Sequence, residues 1–383
     1  MRRVKFGDVV KEVKAKVDRN NNPYEFYVAG DHMDTEDLTI RRRGLFATDD
    51  VGPAFIREFH RGQILYGSRR TYLKKVAVAD FDGVTANTTF VLETINEGIL
   101  RQKLIPFIML SEGFTAWSIT KSKGSTNPYV LFSDIAAYEF DLPDIEVQDE
   151  LVKVLWSIVE TRDSYKNLLK KTDELVKSQF MEMFGALLSE SDKCTSIEDV
   201  CILFADGDWI ESKDQSDEGI RLIQTGNVGN GIYIDKGERA RYISEYTFNR
   251  LHCTEVKPGD ILISRLPDPV GRACMIPEGL GKTITAVDCS IVRFSEKVLP
   301  EFFVAYTLTP LYASQVGLGI TGSTRQRISR KNLGQVIMPV PEIGLQEQFA
   351  EFVRQTDKSK FELEQALAEL TATYKRIISE NLG

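Results

Sequence analysis

Apolar residues recur at steps of three and four over 146–184: Val147, Leu151, Val154, Ile158, Tyr165, Leu168, Leu175 or Val176, Phe180 and Met183. The stripe is heptad-like, has no proline inside it, and stops at Gly185. A second stripe closes the chain at 344–382, through Leu363, Leu367, Leu370, Tyr374 and Ile377. Each predicts a helix of about 40 residues, about 60 Å long. One long helix with a single apolar face needs a partner in water. Two readings follow. Each helix packs on its own globular domain, or the two pair as an antiparallel coiled coil. Their length exceeds the diameter of a domain of about 150 residues and favours the pair.

The remaining segments, 1–144 and 189–342, carry short β-branched runs bounded by Gly, Pro or Asn. Examples are "KKVAVADF" (74–81), "DILISR" (260–265), "DCSIVRF" (288–294) and "QVIMPV" (335–340). "EFFVAYTLTPLYASQ" (301–315) predicts a helix. The expected fold class is α+β, with a twisted sheet in each globular part.

The two halves also resemble each other. "GSTNPYVLFSDIAAYEFDLPDIEVQDEL" from Gly124 matches "GSTRQRISRKNLGQVIMPVPEIGLQEQF" from Gly322 at a constant offset of 198. Ser125 falls on Ser323, Thr126 on Thr324, Pro143 on Pro341 and Gln148 on Gln346. "RGQILYGSR" (61–69) matches "PGDILISRL" (258–266), "TTFVLE" (88–93) matches "CSIVRF" (289–294), and "YVAGDHM" (27–33) matches "IQTGNVG" (223–229). A repeat of about 190 residues is a duplicated domain plus connector, not a solenoid. The expected division is a first domain at 1–144, a spacer helix at 145–188, a second domain at 189–342 and a second spacer helix at 343–383.

Composition changes this picture little. Hydrophobic residues make up 42% and charged residues 27%, as in an ordinary soluble protein. No apolar run is long enough to cross a membrane, and the N-terminus lacks a signal-peptide core, so cytoplasmic residence is expected. The five cysteines show no metal or disulfide spacing. The net charge of −8 argues against nucleic acid, but its distribution argues the other way. Arg41–Arg43, Arg69, Arg70, Lys74 and Lys75 crowd the first copy. Arg265, Arg272, Arg325, Arg327, Arg330 and Lys331 crowd the second.

Catalytic machinery is missing from the sequence. The three histidines (His32, His60, His252) stand beside no nucleophile and form no ligand triplet. "GLGKTIT" (279–285) lacks the first glycine of a phosphate loop, because position 276 is Ile276. "TNPYVL" (126–131) lacks the second proline of the Asn-Pro-Pro-Tyr signature of adenine methyltransferases and reads as a turn. Two similar domains on a rigid spacer suit a split target whose halves are read in opposite orientation.

The chain resembles the specificity subunits of type I restriction–modification systems. The carriers are the repeated blocks from Gly124 to Gln148 and from Gly322 to Gln346, "GDWI" (207–210) followed by "GIRLIQTGNV" (219–228), and "KPGDILISR" (257–265). The resemblance covers essentially the whole chain and is weaker over 66–92. It implies two target recognition domains related by pseudo-two-fold symmetry, separated by an antiparallel coiled coil. It implies a non-catalytic subunit that binds a bipartite site on double-stranded DNA. Two adenine methyltransferase subunits and restriction/translocase subunits would be its partners. S-adenosylmethionine, ATP and Mg²⁺ would sit on those partners, with no cofactor or metal on this chain.

Arg and Lys reach guanine edges, Asn and Gln pair with adenine, and Lys, Arg, Ser and Thr hold phosphates. The expected DNA-binding residues are therefore Arg69, Arg70, Lys74 and Lys75 in the first domain, and Arg265, Arg272, Gln224, Thr225 and Asn227 in the second. Ser125, Thr126, Ser323, Thr324, Arg325 and Arg327 are phosphate candidates, with a plain turn as the other reading of Gly-Ser-Thr. Trp156, Phe180 and Phe184 are either anchors for the methyltransferase or part of the coil seam. Three rival functions stay open: a scaffold that binds two proteins, an unrecognised nuclease, and a modification-only system without a motor subunit.

Overall fold

The structure, a computed structural model, describes residues 2–18, 21–189 and 193–383. The chain divides into two compact units, residues 1–166 with 364–383, and residues 167–363. Each boundary falls inside one of the long helices.

The first unit contains β1 (Arg2–Lys5), α1 (Phe6–Val9), β2 (Val10–Val13), β3 (Phe26–Val28), β4 (Gly44–Leu45), β5 (Phe55–Phe59), β6 (Ile64–Gly67), β7 (Val76–Val78), β8 (Gly83–Ala86) and β9 (Thr89–Thr94). Three short helices follow, α2 (Ile105–Leu110), α3 (Glu112–Lys121) and α4 (Phe132–Ala136), then β10 (Glu139–Leu142) and the first part of α5 (Ile145–Phe184). The second unit runs β11 (Cys194–Ser196), β12 (Cys201–Asp206), β13 (Gln215–Ser216), β14 (Ile220–Ile223), β15 (Arg241–Ile243), α6 (Glu245–Arg250), β16 (Ile261–Ser264), β17 (Ala273–Met275), β18 (Thr283–Thr285) and β19 (Cys289–Phe294). It continues through α7 (Pro300–Thr307), α8 (Pro310–Leu318), β20 (Ile320–Thr321), β21 (Arg327–Ile328), α9 (Arg330–Gly334), β22 (Ile337–Pro339) and most of α10 (Ile343–Leu382).

The duplication is topological. One sheet has the order β2-β9-β6-β7 in the first unit and β12-β19-β16-β17 in the second. In a second sheet β3 lies parallel to β8, and β14 parallel to β18. The Thr85 hydroxyl donates to Val28 O at 2.7 Å, and the Thr285 hydroxyl to Ile223 O at 3.0 Å. A two-stranded ladder closes each unit, β1 with β10 and β11 with β22. Phe6 N–H donates to Tyr138 O at 2.7 Å, and Ile197 N–H to Val336 O at 3.0 Å. The repeat therefore begins earlier than the sequence match, with "FGDVV" (6–10) answering "IEDVC" (197–201).

Two sequence expectations are corrected. Leu92 pairs with Ile64, and Val292 with Ile261, so Thr89 rather than Thr88 answers Cys289. That one-residue slip exchanges the faces of a strand. The helix expected over 301–315 is two helices. Pro310 cannot continue the first, and the Thr309 hydroxyl caps the second by accepting from Tyr312 N–H at 3.3 Å. Ser111 does the same for α3.

The long helices form as expected, Ile145–Phe184 and Ile343–Leu382. In the first unit Leu151, Leu155 and Ile158 of α5 share a core with Tyr374, Ile378 and Leu382 of α10. In the second unit Val176, Phe180 and Phe184 of α5 share a core with Phe349 of α10. The start of each helix thus meets the end of the other, the antiparallel arrangement. Phe180 and Phe184 are fully buried there, and Trp156 donates its indole N–H to Lys103 O at 2.9 Å. These three belong to the packing, not to an outward face. In the first unit a strap at 34–43 also grips both helices: Arg41 pairs with Asp163, Lys166 with Asp37, and Lys375 with Glu36.

Candidate nucleic-acid interface

Both units pin an exposed hairpin to the end of a central strand with the same two hydrogen bonds. In the first unit β6 ends at Gly67. Ser68 N–H then donates to Thr88 O at 3.0 Å, and Ser68 O accepts from Val130 N–H at 3.0 Å. In the second unit β16 ends at Ser264. Arg265 N–H donates to Asp288 O at 2.9 Å, and Arg265 O accepts from Ile328 N–H at 3.2 Å. The hairpins held this way carry the Gly-Ser-Thr tripeptides. Gly124 and Gly322 turn them at φ +88° and +89°, a conformation that glycine adopts without strain. Ser125, Thr126, Ser323 and Thr324 are exposed at the tips.

Around the first hairpin stand Arg69 and Arg70, both exposed, with no ion pair among the described residues. Arg69 bridges Tyr129, and Arg70 N–H donates to Pro128 O at 2.7 Å. Arg70 and Lys74 flank a tight turn at φ +52° and +47°, strained values for residues with a Cβ. Lys74 is held there by Glu36 at 3.1 Å and Glu112 at 3.4 Å. Burial pulls its ammonium pKa down, and the two carboxylates outweigh that and raise it.

Around the second hairpin the charges interlock. Arg325 pairs with Asp288 at 3.5 Å, and Arg330 with Asp206 at 3.5 Å. Arg265 is buried beneath them, donating to Val287 O at 2.5 Å and reaching Asp206 at 3.4 Å, while its Nε has no hydrogen-bond partner among the described residues. Arg325 and Arg327 remain exposed. The expected set missed Arg330, whose signal is the basic spacing of "RQRISRK" itself.

Several expected readers face inward. Lys75 donates to Gly30 O, and Arg272 at the equivalent place donates to Thr225 O at 2.8 Å. Arg272 further holds Val228 O at 2.7 Å and Leu266 O at 2.7 Å, and burial lowers its pKa. Asn227 is buried; it accepts from Gln224 N–H at 3.0 Å and donates to Ile234 O at 2.9 Å. His32 makes the matching cap, accepting from Ala29 N–H at 3.2 Å. Lys75, Arg272, Asn227 and Arg265 are therefore braces, because their polar atoms already serve main-chain groups. Gln224 and Thr225 are half-buried on the loop that Arg272 braces.

One exposed aromatic was also overlooked. Trp209 is 70% exposed on the loop after β12, close in the chain to Asp206 of the arginine cluster. Its signal is the "GDWI" stretch. Among the described residues no group of His, Cys, Asp and Glu could hold a metal, and no helix is long and apolar enough to cross a membrane. Lys282 of "GLGKTIT" pairs with Glu245 at 2.9 Å and leads into β18, so that stretch is a strand start.

The class the structure defines is a duplicated α+β fold in which each unit presents a hairpin and packs on paired helices. Residues 193–371, a little under half of the chain, match the family described as Type I restriction modification DNA specificity domain. It is similar to the specificity subunit of the type I restriction enzyme EcoDI of Escherichia coli, 25% identical over 194 residues, 49% of this chain. The match covers 42% of that relative's length, less than half. The fold is shared with the S subunit of a type I restriction–modification system from M. genitalium, at TM-score 0.57 and 14% identity, over 100% of this chain and 95% of that one. It is shared too with a chain solved in work on complex assembly and conformational transition of the type I R-M system, at TM-score 0.56 and 20% identity, over 100% and 96%.

Proposed function

We propose that this chain is the DNA-recognition subunit of a type I restriction–modification complex. Each unit reads one half of a bipartite site on double-stranded DNA. The chain directs two adenine methyltransferase subunits and the restriction/translocase subunits that act with them. S-adenosylmethionine, ATP and Mg²⁺ belong to those partners, and this chain supplies recognition without chemistry.

The observation that carries the reading is the hairpin of Gly-Ser-Thr, tied to a strand end by the same pair of hydrogen bonds in both units. Loops on a rigid scaffold are where recognition residues concentrate. In the first unit the DNA-facing residues are Arg69, Arg70, Ser125 and Thr126. In the second they are Ser323, Thr324, Arg325 and Arg327, with Arg330 and Trp209 beside them. Gln224 and Thr225 present a further edge. Lys74, Lys75, Asn227, Arg265 and Arg272 position these loops.

Mapping of methylated adenines in host DNA, with and without this gene, tests the proposal together with mobility shift of a duplex in the presence of the methyltransferase. Methylation lost from a motif of two short fixed sequences at constant spacing is the expected result. An uninterrupted motif, or methylation that survives deletion, would overturn it.

A further inference from the structure

The two units differ where their helices meet the globular fold. In the first unit Phe107 of α2 packs against Tyr374 of α10 with ring centroids 6.0 Å apart, and against Trp156 of α5 at 5.4 Å. Leu38 of the strap is 3% exposed in the same core. The shared caps Ser111 and Thr309 align α2 with α7, so Ala305 stands where Phe107 does. The repeat offset of 198 puts Val176 where Tyr374 does. Two large rings are thus replaced by a methyl and an isopropyl group.

The space is left open. A groove of about 180 Å³ lies between α5, α7 and α10 of the second unit, floored by Val176, Ala305, Leu308 and Val353. Its rim carries Glu301 and Asp357, which have no ion-pair partner among the described residues, and an Asp173–Lys360 pair. On the loop beside it, Gly231 lies against Leu308, where an added Cβ would approach to 3.2 Å. The first unit fills the matching place with its own strap.

We propose that this groove docks a segment of a partner protein carrying one aromatic side chain beside a lysine or arginine. Phe107 and Tyr374 set the size, because their rings occupy the equivalent volume in the other unit. Glu301 and Asp357 set the charge, because with Asp173 they put three carboxylates on the lining against the single cation of Lys360, which pairs with Asp173. Aromatic and basic residues are the side chains that anchor such pockets in protein interfaces. The matching site in the first unit is occupied by the chain itself, so the partner segment binds once per chain. None of this depends on the DNA-recognition reading.

The test uses the full chain and a fluorescein-labelled twelve-residue peptide with a central phenylalanine between paired lysines. Saturable binding is expected, weakened at least about tenfold by the exposed change Asp357→Lys. Ala305→Phe with Val176→Tyr, which copies the first unit's filling, should abolish binding and raise Tm. Mobility shift with DNA should be the same for Asp357→Lys and the native chain. Equal binding by Asp357→Lys, or equal binding of a peptide with serine for phenylalanine, would overturn the site. Self-association lost on filling the groove would assign it to a second copy and also overturn the proposal.

Discussion

Gln148 and Gln346 hold the same three hydrogen bonds, one set in each unit. Gln148 Oε1 accepts from Arg101 N–H at 3.0 Å, and its Nε2 donates to Ile99 O at 2.9 Å and Pro143 O at 2.8 Å. Gln346 Oε1 accepts from Leu299 N–H at 2.9 Å, and its Nε2 donates to Lys297 O at 2.8 Å and Pro341 O at 2.8 Å. Both amides are buried, 1% and 0% exposed. The repeated proline and glutamine, five residues apart, are thus a device that ties the first turn of each long helix to the loop before α2 or α7.

Replacing either glutamine by leucine keeps the bulk and leaves three main-chain groups short of a partner. Each change should cost about 1–3 kcal/mol, the penalty for stranding buried polar groups. Urea denaturation of the single variants measures it. A midpoint unchanged for Gln148→Leu or Gln346→Leu would show that the main chain finds other partners.

Gly124 and Gly322 should differ despite their equal φ. An alanine Cβ at 322 would lie 2.5 Å from Arg325 O, whereas at 124 the nearest atom, Asn127 O, is 4.0 Å away. Gly124→Ala carries only the left-handed strain, about 1–2 kcal/mol. Gly322→Ala adds a backbone clash, so its hairpin must move. The expected result is a larger loss of DNA affinity for Gly322→Ala than for Gly124→Ala in matched mobility shifts. Equal losses would contradict the geometry.

How far these features could be read from the chain depended on the kind of signal. The long helices were legible to within a residue, because a stripe at helical spacing sustained over many turns fits no other regular structure. The register of β9 was not: Phe90-Val91-Leu92 is an unbroken apolar run buried on both faces, with no alternation to fix it. Nor does a residue's charge tell which way it points. Lys75 and Arg272 sit beside short strands with the same chemistry as Arg69 and Arg70, yet tuck their cations onto a neighbouring loop. Only tertiary placement separates the two sets. The groove beside Ala305 was hidden for the same reason: small residues look ordinary until the other unit shows what fills that volume.

Acid should loosen the strap of the first unit. Burial raises the Glu36 carboxyl pKa, but the Lys74 and Lys375 ammoniums outweigh it and leave it below its ordinary value. For Asp37, burial is likewise outweighed by Arg41, the Thr39 N–H and Lys166. Groups depressed in the folded state stabilise it above their unfolded values, about 4. That stability is lost as pH falls through the lower folded values. The Tm of the native chain should therefore drop more steeply below about pH 5 than that of Glu36→Gln with Asp37→Asn. Parallel profiles for the two proteins would show that the strap's ion pairs contribute nothing to the acid response.

Arginines with the same charge should separate into two kinds when salt is varied. Arg69 and Arg70 are exposed and unpaired among the described residues, so a phosphate bound there releases counterions. Arg69→Ala and Arg70→Ala should each weaken binding and lower the slope of log K against log salt by about 1 for a phosphate contact. A base contact would instead relax one position of the site at a cost of about 1–3 kcal/mol. Arg272 holds Thr225 O, Val228 O and Leu266 O, and so has no free charge to offer a phosphate. Arg272→Met should lower Tm and weaken binding while leaving the salt slope unchanged, because it deforms a loop without removing a phosphate contact. A slope that falls by about 1 for Arg272→Met, with Tm unchanged, would return Arg272 to the DNA surface.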